Sequence, residues 1–161
     1  MPDKETKIVF LGERPEYTET LAVWLYGEWG HRRAGNTPEL VAARLRSHTN
    51  TGRIPLTVVA LQGDAAVGTA SLRDRDLEER DDLSPWLASV YVVPARRSEG
   101  VGSLLVTAIE RIASGLGVEW FYLYTPDRQS FYAKLGWTEL ETLWHAGKPV
   151  TVMCRHLSDR R

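Results

Sequence analysis

Residues 95–105 read ARRSEGVGSLL, with Gly100 and Gly102 one residue apart where a helical pattern begins. The first amides of a helix have no acceptors inside it and carry the positive end of its dipole, so they suit a phosphate or pyrophosphate. Glycine lets the backbone approach an anion without an intervening Cβ, and Arg97 can add a charge-assisted contact from the same loop. Two neighbours argue the other way. Ser98 carries a Cβ, which is tolerable unless its position needs a positive φ. Glu99 places a negative charge beside the anion, although a side chain turned into water would be screened. Alone, a G-x-G at a helix start is weak evidence and reads first as a loosened helix cap. It is not a Walker loop, since no Gly-Lys-Ser/Thr follows. Nor is it a dinucleotide fingerprint, since Leu105 stands in place of the third glycine.

Other residues with chemical potential are scattered. Residues 73–82, RDRDLEERDD, are almost wholly charged and read either as a solvated loop or as an acidic lip for a cationic substrate. Trp29 and Trp86 could wall the acceptor site, but core packing is the leading account of each.

The elements that must position these residues follow from periodicity. Lys7–Leu11 is a short apolar strand. Leu21, Trp24, Leu25 and Trp29 recur at helical spacing and stop at Gly30. Thr37 as N-cap and Pro38 at the first turn open a second helix, with Leu40, Val41 and Leu45 on one face. Pro55–Leu61 and Ala65–Leu72 flank Gln62-Gly63-Asp64 as a hairpin. Residues 86–94, WLASVYVVP, read as a central strand buried on both faces and ended by Pro94. Val101, Leu104, Leu105, Ala108, Ile109 and Ile112 form a helical stripe that ends near Gly115. Residues 119–125 form another strand, Asp127 caps a short helix ended by Gly136, and 137–157 reads as a hairpin around Ala146–Pro149. This order predicts one α/β (α+β) domain over residues 1–161. Its mixed sheet has six to seven strands flanked by about four helices, with a parallel crossover between the strands at 87 and 125.

Composition narrows the partners. A net charge of -1 with no long basic run argues against nucleic acid or an anionic membrane. The single cysteine, Cys154, forms no internal disulfide and no metal-type cluster, so a reducing cytoplasmic setting and no metal are expected. No apolar run reaches the length of a membrane span, and the N-terminus lacks the apolar core of a signal peptide.

VYVVPARRSEGVGSLL, followed about thirty residues later by FYAKLGW, resembles the GCN5-related N-acetyltransferase (GNAT) superfamily. The first piece looks like its acetyl-CoA loop, V-x-P-x-x-R-x-x-G-x-G, and the second like its F-Y-x-K-x-G-F/W element. SVYVVPARRSEGVG with YTPDRQSFYAKLG is also similar to the branch that includes the actin N-terminal acetyltransferase. The resemblance implies acetyl transfer from acetyl-CoA to a primary amine by direct attack, without a metal. It implies that main-chain groups of Val90, Tyr91 and Val92 pair with the pantetheine arm. The pyrophosphate would rest on the amides of Arg97, Ser98, Glu99, Gly100, Val101 and Gly102. Tyr132 would stand beside the thioester sulfur as general acid, the competing reading being a core aromatic. Ser98 and Glu99 depart from the family's usual glycine and basic residue, and Thr125 stands where many members carry asparagine.

An attacking amine must be neutral, so a general base is required. Glu28 is the candidate carried forward, with Asp81, Asp82 and His145 as others. Each also reads as a surface charge or hairpin residue. The acceptor is expected to be a small-molecule amine, favoured by the acidic segment, or a peptide N-terminus, favoured by the branch resemblance. A CoA-binding sensor with the same fold and little turnover is the alternative. Sheet edges make monomer and homodimer both open, with the 137–157 hairpin as the natural contact.

Overall fold

The computed structural model describes residues 5–157. β1 (Thr6–Phe10) leads through two 3₁₀ turns into α1 (Thr18–Glu28) and α2 (Pro38–Arg46). The hairpin β2 (Leu56–Gln62) and β3 (Ala65–Arg73) follows, then β4 (Trp86–Val92), α3 (Val101–Gly115) and β5 (Trp120–Thr125). α4 (Gln129–Lys134) and the hairpin β6 (Thr138–His145) and β7 (Lys148–His156) complete the chain. Seven strands form one sheet in the order β1-β2-β3-β4-β5-β7-β6, and only β4 and β5 are parallel. Strand count, helix count and the parallel crossover match the sequence reading.

Alternation sorts the sheet's two faces. Val58 and Ala60 of β2, Leu87 of β4 and Phe121 and Leu123 of β5 face α3 and α4. Val59 and Leu61 face α1 and α2. Trp86 joins Leu77 and Val152 beside them, with Tyr122 and Tyr124 packed against that cluster. Trp86 is therefore core, fully excluded from solvent.

Four details of the sequence reading are corrected. Leu40 points to solvent, and α2 buries Val41, Ala42 and Leu45 instead. The buried row of α3 is Val101, Leu105, Val106, Ile109, Glu110 and Ala113, leaving Leu104 exposed. The rotation brings a charged residue inward, where it finds partners described below. Asp127 does not cap α4: the Thr125 hydroxyl accepts from the backbone N–H of Arg128 at 2.9 Å and of Asp127 at 3.4 Å. Finally, β4 is buried only from Trp86 to Ala88, and from Ser89 onward it is half-buried. The reason lies in its pairing.

Candidate active site

β4 and β5 meet at one register position, Trp86 with Tyr122, and then part. β4 stays on β3 as far as Val92, while β5 stays on β7 through Thr125. A bulge makes the separation possible: Ser89 and Val90 together oppose Ala70, with Ser89 at φ 56. The extra residue bends a strand and increases its twist. The result is a wedge open toward Val92 and Thr125, flanked by α3 from one side and α4 from the other. Strand groups in such a gap keep unpaired hydrogen-bonding capacity, which an extended ligand can take up as an added strand.

α3 starts at the mouth of this wedge. Gly100 caps it in the left-handed region at φ 88, with no atom within 4 Å of where a Cβ would be. No side chain caps the helix, so its first amides stay open to an anion. Gly102 serves packing instead. A Cβ there would stand 3.3 Å from Cζ of Phe131, so its absence lets α4 close on α3.

Ser98 sits at φ 66, the conformation its side chain tolerates poorly. The condition attached to that residue in the sequence is thus met, and the loop carries strain where glycine is usual. Glu99 is drawn aside, its carboxylate 4.0 Å from Arg96 Nη1. Arg96 in turn donates to Gln62 Oε1 at 3.1 Å.

Tyr132 lies on α4, 9% exposed, against Phe131 and Trp137. Burial pushes its phenol up to about 12, against the opposing pull of Arg128. The group is therefore protonated at any working pH.

The opposite face of the wedge is aromatic and charged. Trp24 and Trp29 both pack on Tyr91, with centroids at 5.5 and 6.3 Å. Trp29 is 41% exposed, which fits a wall better than a core. Arg97 reaches over this group: Nε donates to the Val92 carbonyl at 2.9 Å, and its guanidinium covers the Tyr91 ring at 5.5 Å. Its Nη2 stands 3.9 Å from Glu28 Oε1. Glu28 therefore lies on the Tyr91 side of the sheet, bridged by Arg97 to the loop before α3.

Segment 73–82 proves more structured than a solvated loop. Leu77 is buried with Trp86, and Arg73 pairs with Asp76 at 3.2 Å. Burial pushes the Asp76 carboxyl up, with Arg73 pulling it back. Glu79 bonds His145 Nδ1 at 2.9 Å, and the His145 ring packs 5.3 Å from Tyr124. Asp82 is held by Arg80. His145, Asp76 and Glu79 thus gather at Tyr124, on the β5 side of the wedge; Glu28 stands apart at Tyr91 on the β4 side. Neither of these groups includes Asp81. The inward carboxylate Glu110 on α3 was missed, because its neighbours look like an ordinary apolar stripe. Its i, i+4 relation to Val106 and its place between Ile109 and Ala113 are the only signals available.

Comparison with known proteins bears on the family and the fold. A family model described as an acetyltransferase (GNAT) domain matches residues 54–139, more than half of the chain. No curated protein sequence matches. Among solved structures, an aminoglycoside 6'-N-acetyltransferase complexed with coenzyme A superposes with a TM-score of 0.77 at 19% identity, covering 96% of this chain and 99% of that one. The aminoglycoside 6'-N-acetyltransferase from Enterococcus faecium gives 0.74 at 20% identity with the same coverage. YncA from Salmonella typhimurium with its cofactor acetyl-CoA gives 0.73 at 17%, covering 96% and 95%. At these identities the likeness concerns the fold. Among the described residues no helix is long and apolar enough to cross a membrane, and no cluster of metal-ligating side chains occurs.

Proposed function

The chain belongs to the GNAT acetyltransferase family, and from that premise we propose that it moves the acetyl group of acetyl-CoA to a cationic primary amine of a small molecule. The acetyl-CoA fit rests on the wedge: an open strand side at Val90, Tyr91 and Val92, and uncapped amides from Ser98 through Glu99, Gly100, Val101 and Gly102. The Arg97 N–H is already bonded to the Pro94 carbonyl at 3.3 Å, so Arg97 offers its guanidinium instead. Tyr132 stands on the helix that flanks the gap and serves as general acid. Attack by the amine nitrogen forms the N–C bond and breaks the C–S bond, and the departing thiolate takes the phenolic proton. The proton still on the acylated nitrogen passes through water to the phenolate, which restores Tyr132. The burial that holds this phenol neutral also raises the basicity of a thiolate left beside it.

Glu28 is the proposed base for the ammonium proton, acting directly or through water. Arg97 holds it in the structure, and a pyrophosphate at the loop competes for the same guanidinium. Cofactor binding would therefore free the carboxylate.

The observation that carries the acceptor class is the half-exposed Glu79 carboxylate beside His145 and Tyr124; Asp76 next to it is already paired with Arg73. Carboxylates on the wall of a cleft attract cations and repel anions. An acidic peptide N-terminus would meet this wall unfavourably. Aminoglycosides, which two of the structures sharing the fold acetylate, are polycations by contrast. The test is thiol release from acetyl-CoA with a polyamine, an aminoglycoside and an acidic peptide as acceptors. Turnover with the cations and loss of affinity in Glu79→Gln are expected. Preference for the peptide would overturn the acceptor class, and cofactor binding without turnover on any amine would favour a sensor.

A further inference from the structure

α4 carries Tyr132 but is too short to fix it. It has six residues and no side-chain N-cap, and helices of that length are marginal unless tied down. The segment after α4 must hold the phenol in place. There the chain turns through Gly136 at φ 98 and sends Trp137 into the core at 3% exposure. The indole stands edge-on to the Tyr132 ring, with centroids 6.2 Å apart. Its Nε1–H donates to Glu110 Oε2 at 3.2 Å. Arg155 of β7 reaches the same oxygen, with Nε at 3.4 Å. The Arg155 guanidinium closes on Gly136, where any Cβ would overlap its Nη1.

Glu110 is 4% exposed, beneath a helix whose other inward residues are aliphatic. A buried ion pair is a poor way to stabilise a core, because desolvation offsets its attraction and apolar residues of equal volume often do better. What the pair does supply is direction. An indole N–H and a guanidinium converge on one carboxylate, so the turn at Gly136–Trp137 has one seating on α3.

We propose that Glu110 and Arg155 are positioning residues for Tyr132. α3 then holds both ends of the site. Its N-terminus presents the phosphate cradle at Gly100, and about 15 Å further along its axis Glu110 anchors the turn that places the phenol. The pyrophosphate and thioester of acetyl-CoA are separated by the pantetheine arm, and one rigid helix registers the two groups that meet them. This inference rests on Tyr132 being the general acid.

The experiment is a double-mutant cycle on kcat per folded protein and on KM for acetyl-CoA, using Glu110→Gln and Tyr132→Phe. Glu110→Gln alone is expected to lower kcat about tenfold with KM within about twofold, since the cradle is untouched. In the Tyr132→Phe background the same substitution should change kcat by less than about twofold, because the group it positions is gone. Equal losses in both backgrounds would overturn the positioning role, as would a KM rise at constant kcat. Tyr132→Phe without effect by itself would overturn the acid assignment instead. Should Glu110→Gln not fold, Trp137→Phe keeps the ring and deletes the Nε1 donor. It is carried through the same cycle, with a loss of about threefold in kcat expected only when Tyr132 is present.

Discussion

β5 has two neighbours and treats them differently. Against β7 it keeps register through six residues, from Trp120 with His156 to Thr125 with Thr151. Against β4 it holds only Tyr122 with Trp86 before the strands diverge. The β7 side is closed by Leu123, Val152 and Met153, all buried. On the other side β4 turns half-exposed from Ser89, the bulge residue, and presents strand backbone, uncapped helix amides and a buried phenol. One strand thus separates a region whose residues hold the fold from the open region to which the proposed chemistry is assigned. The difference arises from a single inserted residue in β4 and from the short α4 set across the gap.

If this division is real, substitutions on the two sides should fail differently. Tyr132→Phe is the largest expected effect on the open side: kcat falls about 10²- to 10⁴-fold, the usual range for a lost general acid. Stability should barely move, because the ring that packs on Phe131 and Trp137 is kept. The acid form itself persists at every working pH. With the phenol held at about 12 in the folded state, above its ordinary value of 10, its contribution to folding is complete below pH 10. That contribution is lost only as pH rises through about 12. A kcat profile that declines with Tyr132 ionisation near pH 9 would contradict the burial argument.

On the closed side, Met153→Ala should cost about 2–5 kcal/mol in denaturant unfolding, while kcat per folded molecule stays within about twofold. A large kcat loss there would show that the two sides are not separable. Thr125→Val probes the point where they meet. It removes the acceptor for the Arg128 N–H at the start of α4, with an expected loss of about 1 kcal/mol and a modest drop in kcat. The smallest effect belongs to the loop itself. Ser98→Gly relieves a left-handed serine at φ 66 and should raise stability by up to about 1 kcal/mol, partly offset by unfolded-state entropy.

Much of this architecture is legible in the residues. Strand and helix order follow from periodicity, and Thr37, Pro38 and Gly136 mark helix ends because their backbone requirements are local. The proposed cradle and Tyr132 stand out in the sequence because their spacing matches a family pattern. Long-range effects are not. Nothing in WLASVYVV reveals that its second half leaves β5, since the bulge at Ser89 is set by pairing with β3 rather than by local preference. Nor does the α3 stripe reveal that Glu110 turns inward, because its partners Trp137 and Arg155 lie 27 and 45 positions away in sequence. The acidic segment reads as solvated until Leu77 is seen beneath Trp86 and Glu79 against His145.

The proposed acetyl transfer depends on the wedge binding acetyl-CoA, and thermal unfolding with and without that compound tests it most directly. At a hundredfold over its dissociation constant, a ligand of the folded state adds about 2.7 kcal/mol. For a domain of this size that corresponds to a rise in Tm of about 5–11 °C. Such a rise is the predicted result, despite Ser98 and Glu99 in the loop. An unchanged Tm at millimolar acetyl-CoA would contradict it, and the open side of β5 would need another ligand.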